Sequence, residues 1–424
     1  MAFIVFSLLF RIAPLSLCEA QTTRLLEVQK IVNLTLHNSP LLKASQKAIE
    51  VATQQVSVER AHYNPVLQVD GIDSSGFPAS SSMSDVDGIP GSPFREGWGI
   101  AIFGRQLVYD FGKTSALVHA ANSELDIKQE EDRLNLARVQ RLASQLYFSC
   151  ALVATELEFW ESIRAAVLQI EREVDRFVAS GQRSVVEREL VFAQTADLKT
   201  KIANAKNRLQ FTKQRMALLA GVEPGNISCR VIDINEAEID FTKPKSSITP
   251  PTLAIAQRQL DAAKSKLEVS RSQDNPFIDV TASYGQLQSA RLVANNDYSV
   301  GVGLVVPLWD GDKSNRERGR DRVLVSQRES ELESANQDYT DELLKIREIH
   351  DSATVRLAEL KPARTSAEKA FRLAQKRYLS YAGGLADYRE SIRNLERVAA
   401  QFADAQAQTM ESQVLERILK GETL

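Results

Sequence analysis

The chain has 424 residues, 43% of them hydrophobic and 25% charged, with a net charge of −3 and a pI near 6.0. Such a composition belongs to a folded protein rather than a disordered one. It lacks the basic excess of a nucleic-acid binder: the one locally basic run, Arg316-Glu-Arg-Gly-Arg-Asp-Arg322, is interrupted by acids and opens a helical stretch, so it reads as a solvated helix face.

Residues 1–20 read as a secretory signal. Phe3 to Leu17 is nearly all apolar, and Cys18-Glu19-Ala20 resembles a small-x-small cleavage site before Gln21. Two details are irregular: Arg11 sits inside the apolar run and no basic residue precedes it. Leu15-Ser-Leu-Cys18 invites a lipoprotein reading, against which Leu17 is large for the position before the cysteine. No apolar run of membrane-helix length follows. A helix is predicted over Leu25 to Tyr63, with Pro40 its one point for a kink. It ends at Asn64-Pro65, because proline cannot continue the hydrogen-bond ladder and pushes the residue before it toward extended structure. Two strands follow within 65–109: Leu67 and Val69 alternate with Gln68 and Asp70, and Trp98, Ile100 and Ile102 alternate with Gly99 and Ala101. A Gly/Ser/Asp-rich loop joins them. Leu107-Val-Tyr-Asp-Phe-Gly-Lys113 then opens a long helix, Lys113 to Ala179. A turn at Ser180-Gly-Gln-Arg-Ser184 leads to a return helix, Val185 to Leu219, closed by Gly221-Val-Glu-Pro-Gly225.

The second half repeats this order. After the breaker run Ser246-Ser-Ile-Thr-Pro-Pro251 comes a helix, Leu253 to Gln273, ending at Asn275-Pro276. Two strands within 276–308 alternate cleanly: Ile278, Val280, Ala282 and Tyr284 face one way, Asp279, Thr281, Ser283 and Gly285 the other. Tyr298, Val300, Val302, Leu304, Val306 and Leu308 then alternate with Ser299, Gly301, Gly303, Val305 and Pro307. Pro307-Leu-Trp-Asp-Gly-Asp-Lys313 opens a helix from Lys313 to Leu379. A turn through Tyr381-Ala-Gly-Gly384 precedes a return helix, Leu385 to Leu419. Asp310 echoes Asp110 and Lys313 echoes Lys113, an offset of 200. The seven-residue beat Val325, Leu332, Tyr339, Ile346, Ala353, Leu360, Ala367, Ala374 echoes Leu125, Asp132, Val139, Leu146, Val153, Trp160, Val167, Val174 at the same offset, and only Asp132 breaks it. One unit ending in a coiled coil is duplicated. The chain therefore divides into a signal (1–20), a first repeat (21–225), a linker (226–251) and a second repeat (252–424).

Period-two strands with apolar residues on one face and small or polar residues on the other fit a sheet packed on a core, or a membrane barrel with lipid outside and water inside. Strands of about ten residues match a tilted membrane span, and Trp98, Tyr109, Tyr284, Tyr298 and Trp309 sit near strand ends as interfacial aromatics do. Four strands are too few to close a barrel, and open edges are not tolerated in lipid. The edges must then pair with other subunits, so a cyclic homo-oligomer is expected. The two long helices would each extend roughly 100 Å at 1.5 Å per residue. The return helices are about half that length, which the opening helices would complete by stacking end to end with them. Cys150 and Cys229 read as buried thiols rather than a bridge, because Cys150 falls inside the coiled-coil stretch. The histidines are scattered, with no metal-ligand spacing.

Taken together, Asn64-Pro65 and Asn275-Pro276 before strands, Tyr109-Asp110-Phe-Gly112 and Trp309-Asp310-Gly311 after them, Phe177-x3-Gly181-x2-Ser184 at the first helical turn and Leu218-Leu-Ala-Gly221 closing the first copy resemble the TolC family of outer-membrane channel proteins over the whole mature length. The resemblance implies a mainly α fold with a β-barrel section: two tandem repeats, four membrane strands per chain and long coiled-coil helices, completed as a homotrimer. It implies a location in the outer membrane of a Gram-negative bacterium, in contact with lipid and extending into the periplasm. Substrates would pass from an inner-membrane transporter of ABC or RND type, through a periplasmic adaptor, to the exterior, in drug efflux or type I secretion. It implies no catalytic residues, no metal and no cofactor. It also implies a periplasmic gate, for which Asp387 and Glu390 fit best; three apart on a helix, they share a face. The second acid is Glu where the family has Asp, and the turn carries an extra residue. The helical turns, with Gly181, Arg183, Ser184, Gly383 and Gly384, would form the tip that meets the adaptor.

Two other classes compete. A secreted coiled-coil adhesin or scaffold accounts for the heptads but not for hairpins placed at equivalent points of a duplication. A periplasmic adaptor combines helical hairpins and strands, but carries one long hairpin rather than two tandem copies. No nucleophile arrangement or phosphate loop suggests an enzyme, and Asp110 and Asp310 read as helix caps or strand terminators rather than a catalytic pair.

Overall fold

The computed structural model describes residues 17–75, 96–229, 249–289 and 292–422. Most of the signal segment, the loop between the first two strands and most of the linker lie outside the described residues. The elements, in order, are α1 (Leu17–Asn38), α2 (Pro40–Arg60), β1 (Val66–Ser75), β2 (Glu96–Tyr109), α3 (Lys113–Ala179), α4 (Val185–Ala220), α5 (Pro251–Ser272), β3 (Phe277–Ser289), β4 (Leu292–Val305), α6 (Lys313–Leu379) and α7 (Leu385–Leu419). Short 3-10 turns occupy Ala61–Tyr63 and Pro224–Asn226. No described helix is long and apolar enough to cross a membrane.

The chain forms two compact units, and each draws on both repeats. One takes residues 44–132 and 252–337; the other takes 1–43, 133–251 and 338–424.

The first unit holds the sheet. Its four strands follow chain order, β1-β2-β3-β4, all antiparallel. The central pair, β2 and β3, joins the two repeats, and β1 and β4 are the edges. β4 ends at Val305, short of the alternation read to Leu308. Val306 and Leu308 are exposed and lie outside the strand. In the same unit the Ser45 hydroxyl donates to Asp132, so the one polar break in the heptad beat receives a polar partner.

The helical unit is built on α3 and α6, with α4 and α7 folded back along them. Lys201 of α4 lies over the Trp160 ring of α3 at 4.7 Å, and Arg208 pairs with Glu156 at 2.8 Å. Arg347 pairs with Glu416 at 3.2 Å across α6 and α7. The repeats meet where Lys201 pairs with Glu396 at 2.8 Å. The buried side of this layer carries the heptad residues Val153, Trp160, Val167, Val174, Ile346, Ala353 and Ala367. Burying apolar stripes stabilises such helices far more than intrinsic propensity does.

Two readings are corrected. The opening helix is two helices broken at Ser39 rather than one kinked helix. Pro40 takes the first position of α2, where its missing N–H costs nothing, and the Leu42 N–H donates to the Ser39 hydroxyl at 3.4 Å. Cys150 and Cys229 are joined by a disulfide, with Cα atoms 5.7 Å apart, and are not free thiols. Cys150 sits in the heptad stretch, yet it faces a core shared with Val28, Val32, Met216, Ile227 and Val414, and the segment after α4 folds onto that core and delivers Cys229.

Candidate functional site

The strand register sorts the sheet into two faces. Val69, Ile102, Tyr284 and Tyr298 lie in one row across the strands, and Leu67, Gly104, Ala282 and Val300 in the next row on that face. Val280 pairs with Val302 and Ile278 with Leu304 to extend it. This face is bare: Val300 is 76% exposed and Val302 74%, and Leu67, Val69, Ile102, Tyr284, Tyr298 and Leu304 are exposed as well. A contiguous exposed apolar face of this kind is not left to water; it marks a surface covered by lipid or protein.

The opposite face is mostly polar or small, with Val66 and Phe103 its larger apolar members. Gln68, Phe103, Ser283 and Ser299 form one row, Val66, Arg105, Thr281 and Gly301 another. Ser283 and Ser299 share a hydrogen bond of 2.8 Å, and Arg105 pairs with Asp279 at 2.8 Å. A Cβ at Gly303 would press on the Asp279 carboxylate, which would have to shift. One face suited to hydrocarbon and one to water is the arrangement of a channel wall.

The strand-to-helix motifs end the strands and cap the helices. The Asp110 carboxylate accepts from the Gly112 N–H at 3.2 Å and the Thr114 N–H at 2.6 Å. Asp310 accepts from the Ser314 N–H at 2.8 Å and its hydroxyl at 2.5 Å, and the Ser314 hydroxyl and N–H hold the Asp310 carboxyl below its usual range. Gly112 and Gly311 have positive φ, as do their neighbours Phe111 and Asp312, so each motif turns through two left-handed residues. Tyr109 and Trp309 are exposed beside them, and Asn275 donates to the Phe111 carbonyl at 2.8 Å, tying the two motifs' repeats together.

The helical turns are alike in both copies. Gly181 and Tyr381 hold the left-handed position, with φ of 74° and 60°. The Gln182 N–H donates to Phe177 O at 2.8 Å and the Ala382 N–H to Arg377 O at 2.9 Å. Tyr381 tolerates that conformation while packed on the Phe177 ring, 4.6 Å between centroids. Ser184 caps α4 by accepting from the Glu187 N–H at 3.2 Å, while Gly384 precedes α7 with no side-chain cap. Arg183 is not a free tip residue. Its side chain is 15% exposed and lies 3.6 Å from Glu187, 4.8 Å over the Tyr378 ring, and its Nη2 donates to the Gly383 carbonyl at 2.8 Å. A Cβ at Gly383 would crowd Arg377 of its own turn at 3.0 Å.

Asp387 and Glu390 stand on the exposed side of α7, opposite the buried Tyr388. Glu390 pairs with Arg393 at 2.7 Å. Within one chain the two carboxylates enclose nothing.

Residues 248–417 match the family model of outer membrane efflux proteins. No curated protein matches the chain in sequence. Among solved structures, the outer membrane protein VceC of Vibrio cholerae superposes with a TM-score of 0.78 at 15% identity, covering 94% of this chain and 96% of that one. The CmeC outer membrane channel of Campylobacter jejuni gives 0.78 at 14% identity, covering 93% and 85%. The open state of the MtrE outer membrane channel of Neisseria gonorrhoeae gives 0.70 at 15%, covering 93% and 89%. Residues 248–417 thus carry the sequence pattern of outer membrane efflux proteins, and the fold over nearly the whole chain is that of the outer membrane channels it superposes on, in agreement with the two-faced sheet.

Proposed function

We propose that three copies of this chain form the exit duct of a tripartite efflux pump or a type I secretion system, fed by an inner-membrane transporter through a periplasmic adaptor. The observation that carries the proposal is the four-stranded sheet with β1 and β4 at its edges, one bare apolar face and one polar face. Edge strands in lipid must pair, and β4 of one copy against β1 of the next closes a barrel without any new element. The exposed parts of the turns, at Gly181, Ser184 and Gly384, then serve as the adaptor-facing tip, with Arg183 and Gly383 holding it together. Asp387 and Glu390 gain a role only by repetition: three copies turn an exposed pair into a ring of carboxylates that narrows the pore and favours cations.

The test is fractionation of cells making the full chain, followed by electrophoresis without heating. A detergent-resistant trimer in the outer membrane, dissociating on boiling, is expected. A soluble monomer would refute the proposal.

A further inference from the structure

The disulfide between Cys150 and Cys229 has one end, at Cys150, that oxidation chemistry could not reach in the folded chain. Cys150 is fully buried, as is Ala151 beside it. The core around it is contributed by Val28, Ile31 and Val32 of α1, Met216 and Ala217 of α4, and Val414 and Ile418 of α7. Cys229 is half-buried at the edge of this core, on a segment that is itself docked. Ile227 is buried beside it, the Val222 N–H donates to the Ala217 carbonyl at 3.0 Å, and Asn38 of α1 donates to the Ala220 carbonyl at 2.6 Å. Thiol–disulfide exchange needs a thiolate that can meet a bulky reagent. Once α7 has packed, Cys150 offers none.

The order along the chain makes room for it earlier. Both cysteines precede the whole second repeat, whereas Val414 and Ile418 belong to the last helix. We infer that Cys150 and Cys229 are oxidised before α7 docks, so that an obligatory thiol-oxidation step precedes completion of the fold, and that the bond is afterwards sealed from reductants. The reagent is a disulfide-bearing oxidant of the extracytoplasmic compartment. The Cys150 thiolate, open before α7 docks, attacks that disulfide, forming a mixed disulfide and releasing one oxidant thiol. The Cys229 thiolate then attacks the Cys150 sulfur and releases the second. Two electrons and two protons pass from the chain to the oxidant, which leaves as a dithiol. The bond spans a sequence separation of 79 and encloses all of α4 and the first turn, so the first hairpin is a closed ring when the second repeat packs against it. The inference rests on the outer-membrane assignment only for an oxidising compartment.

Pulse–chase labelling of the full chain, with free thiols trapped by a polyethylene glycol maleimide and folding read by resistance of the chain to trypsin, tests the order. The Cys150→Ser, Cys229→Ser double variant marks the position of the reduced form. An oxidised, trypsin-sensitive species should appear first and convert to an oxidised, trypsin-resistant one. Purified folded protein treated with dithiothreitol should gain no maleimide adduct, and should gain two when urea is added with the reductant. A reduced, trypsin-resistant species that oxidises later, or two adducts without urea, would overturn the inference. Absence of a trimer alongside the expected order would count against the channel proposal alone, because trypsin resistance reads the folding of the chain itself.

Discussion

Replacing Arg183 with Met keeps the volume of the side chain and removes its charge and donors. Three contacts go with them: the 2.8 Å bond to the Gly383 carbonyl, the placement 4.8 Å over Tyr378 and the 3.6 Å approach to Glu187. A hydrogen bond from a charged group contributes about 1.5–3 kcal/mol, and a partly desolvated cation–π contact about 1–2 kcal/mol. The ion pair adds little, because Met also leaves the Glu187 carboxylate freer to take up water. Allowing for overlap among contacts of one group, the loss is about 3 kcal/mol, and at about 1.4 kcal/mol per tenfold it opens the linked turns roughly 100-fold more often. The backbone N–H groups of Gln182 and Ala382 report this directly, since each closes its own turn. Hydrogen exchange at Ala382 should accelerate by roughly two decades in R183M, although the substitution lies in the other repeat. An exposed pair supplies the control. Arg393, bonded to Glu390 at 2.7 Å with both side chains well exposed, contributes at most about 1 kcal/mol, so Arg393→Met should leave Ala382 within a few-fold of the parent. Unchanged exchange at Ala382 in R183M would show that the turns are held independently and that the cross-repeat bond carries no free energy.

Other expectations follow from the same geometry. Asp387→Ala combined with Glu390→Ala should raise closed-state conductance in planar bilayers, and unchanged conductance would remove the pair from the gate. Val300→Arg, on the bare face of β4, should destabilise the membrane-inserted protein by about 2–4 kcal/mol in urea titrations from vesicles, whereas Thr281→Arg, on the polar face of β3, should cost less than about 1 kcal/mol; equal losses would mean that the faces are assigned wrongly. Burial, aided by the Glu187 charge, pushes the Tyr378 phenol up to about 12 from 10.0, and burial raises Tyr388 as well. The unfolded chain therefore loses these protons first as pH rises. Stability present below pH 10 declines as pH climbs toward 12. Y378F with Y388F should flatten that decline in unfolding midpoints measured against pH, and an unchanged slope would locate the alkaline sensitivity elsewhere. Tyr388 offers a second reading, because its hydroxyl is buried without a partner. Y388F alone should be neutral or stabilising by up to about 1 kcal/mol at neutral pH, measured by thermal unfolding in detergent.

The fold class was legible because period alone carries it. A strand with one wet and one greasy face must alternate, a helix buried along one stripe must repeat near seven, and the offset of 200 tied the two kinds of segment into one repeated unit. Even the exception was informative, since Asp132 breaks the beat where Ser45 reaches it. What period does not carry is which distant groups meet. Cys150 falls inside a coiled-coil stretch, between the beats Leu146 and Val153, and nothing in its neighbourhood announces that a segment 79 residues later folds back to it. The break at Ser39 was half visible, as a proline after a serine; the capping chemistry that turns a kink into a new helix depends on that serine's hydroxyl facing the Leu42 N–H.

Arg183 shows the limit and its cause most clearly. By offset it is the counterpart of Gly383, and the two are partners: the arginine of one copy donates to the carbonyl of the glycine in the other. The turns keep one backbone geometry, with the left-handed residue at Gly181 and Tyr381, while their side chains have become complementary. The long donor of one copy reaches a backbone carbonyl of the other, and a side chain at Gly383 would press on Arg377 of its own turn. At this matched pair, divergence between the copies coincides with a contact between them. Of the copy-to-copy differences in the turns, Ser184 against Gly384 follows the same logic in weaker form: one copy caps its return helix with a hydroxyl, and the other leaves that position bare beside the arginine that spans the gap. A reading that searches tandem repeats for matched positions holding a long polar residue and a glycine would have picked out Arg183 as an internal tie from the sequence, and would have left the exposed small residues of the turns as the surface available to a partner.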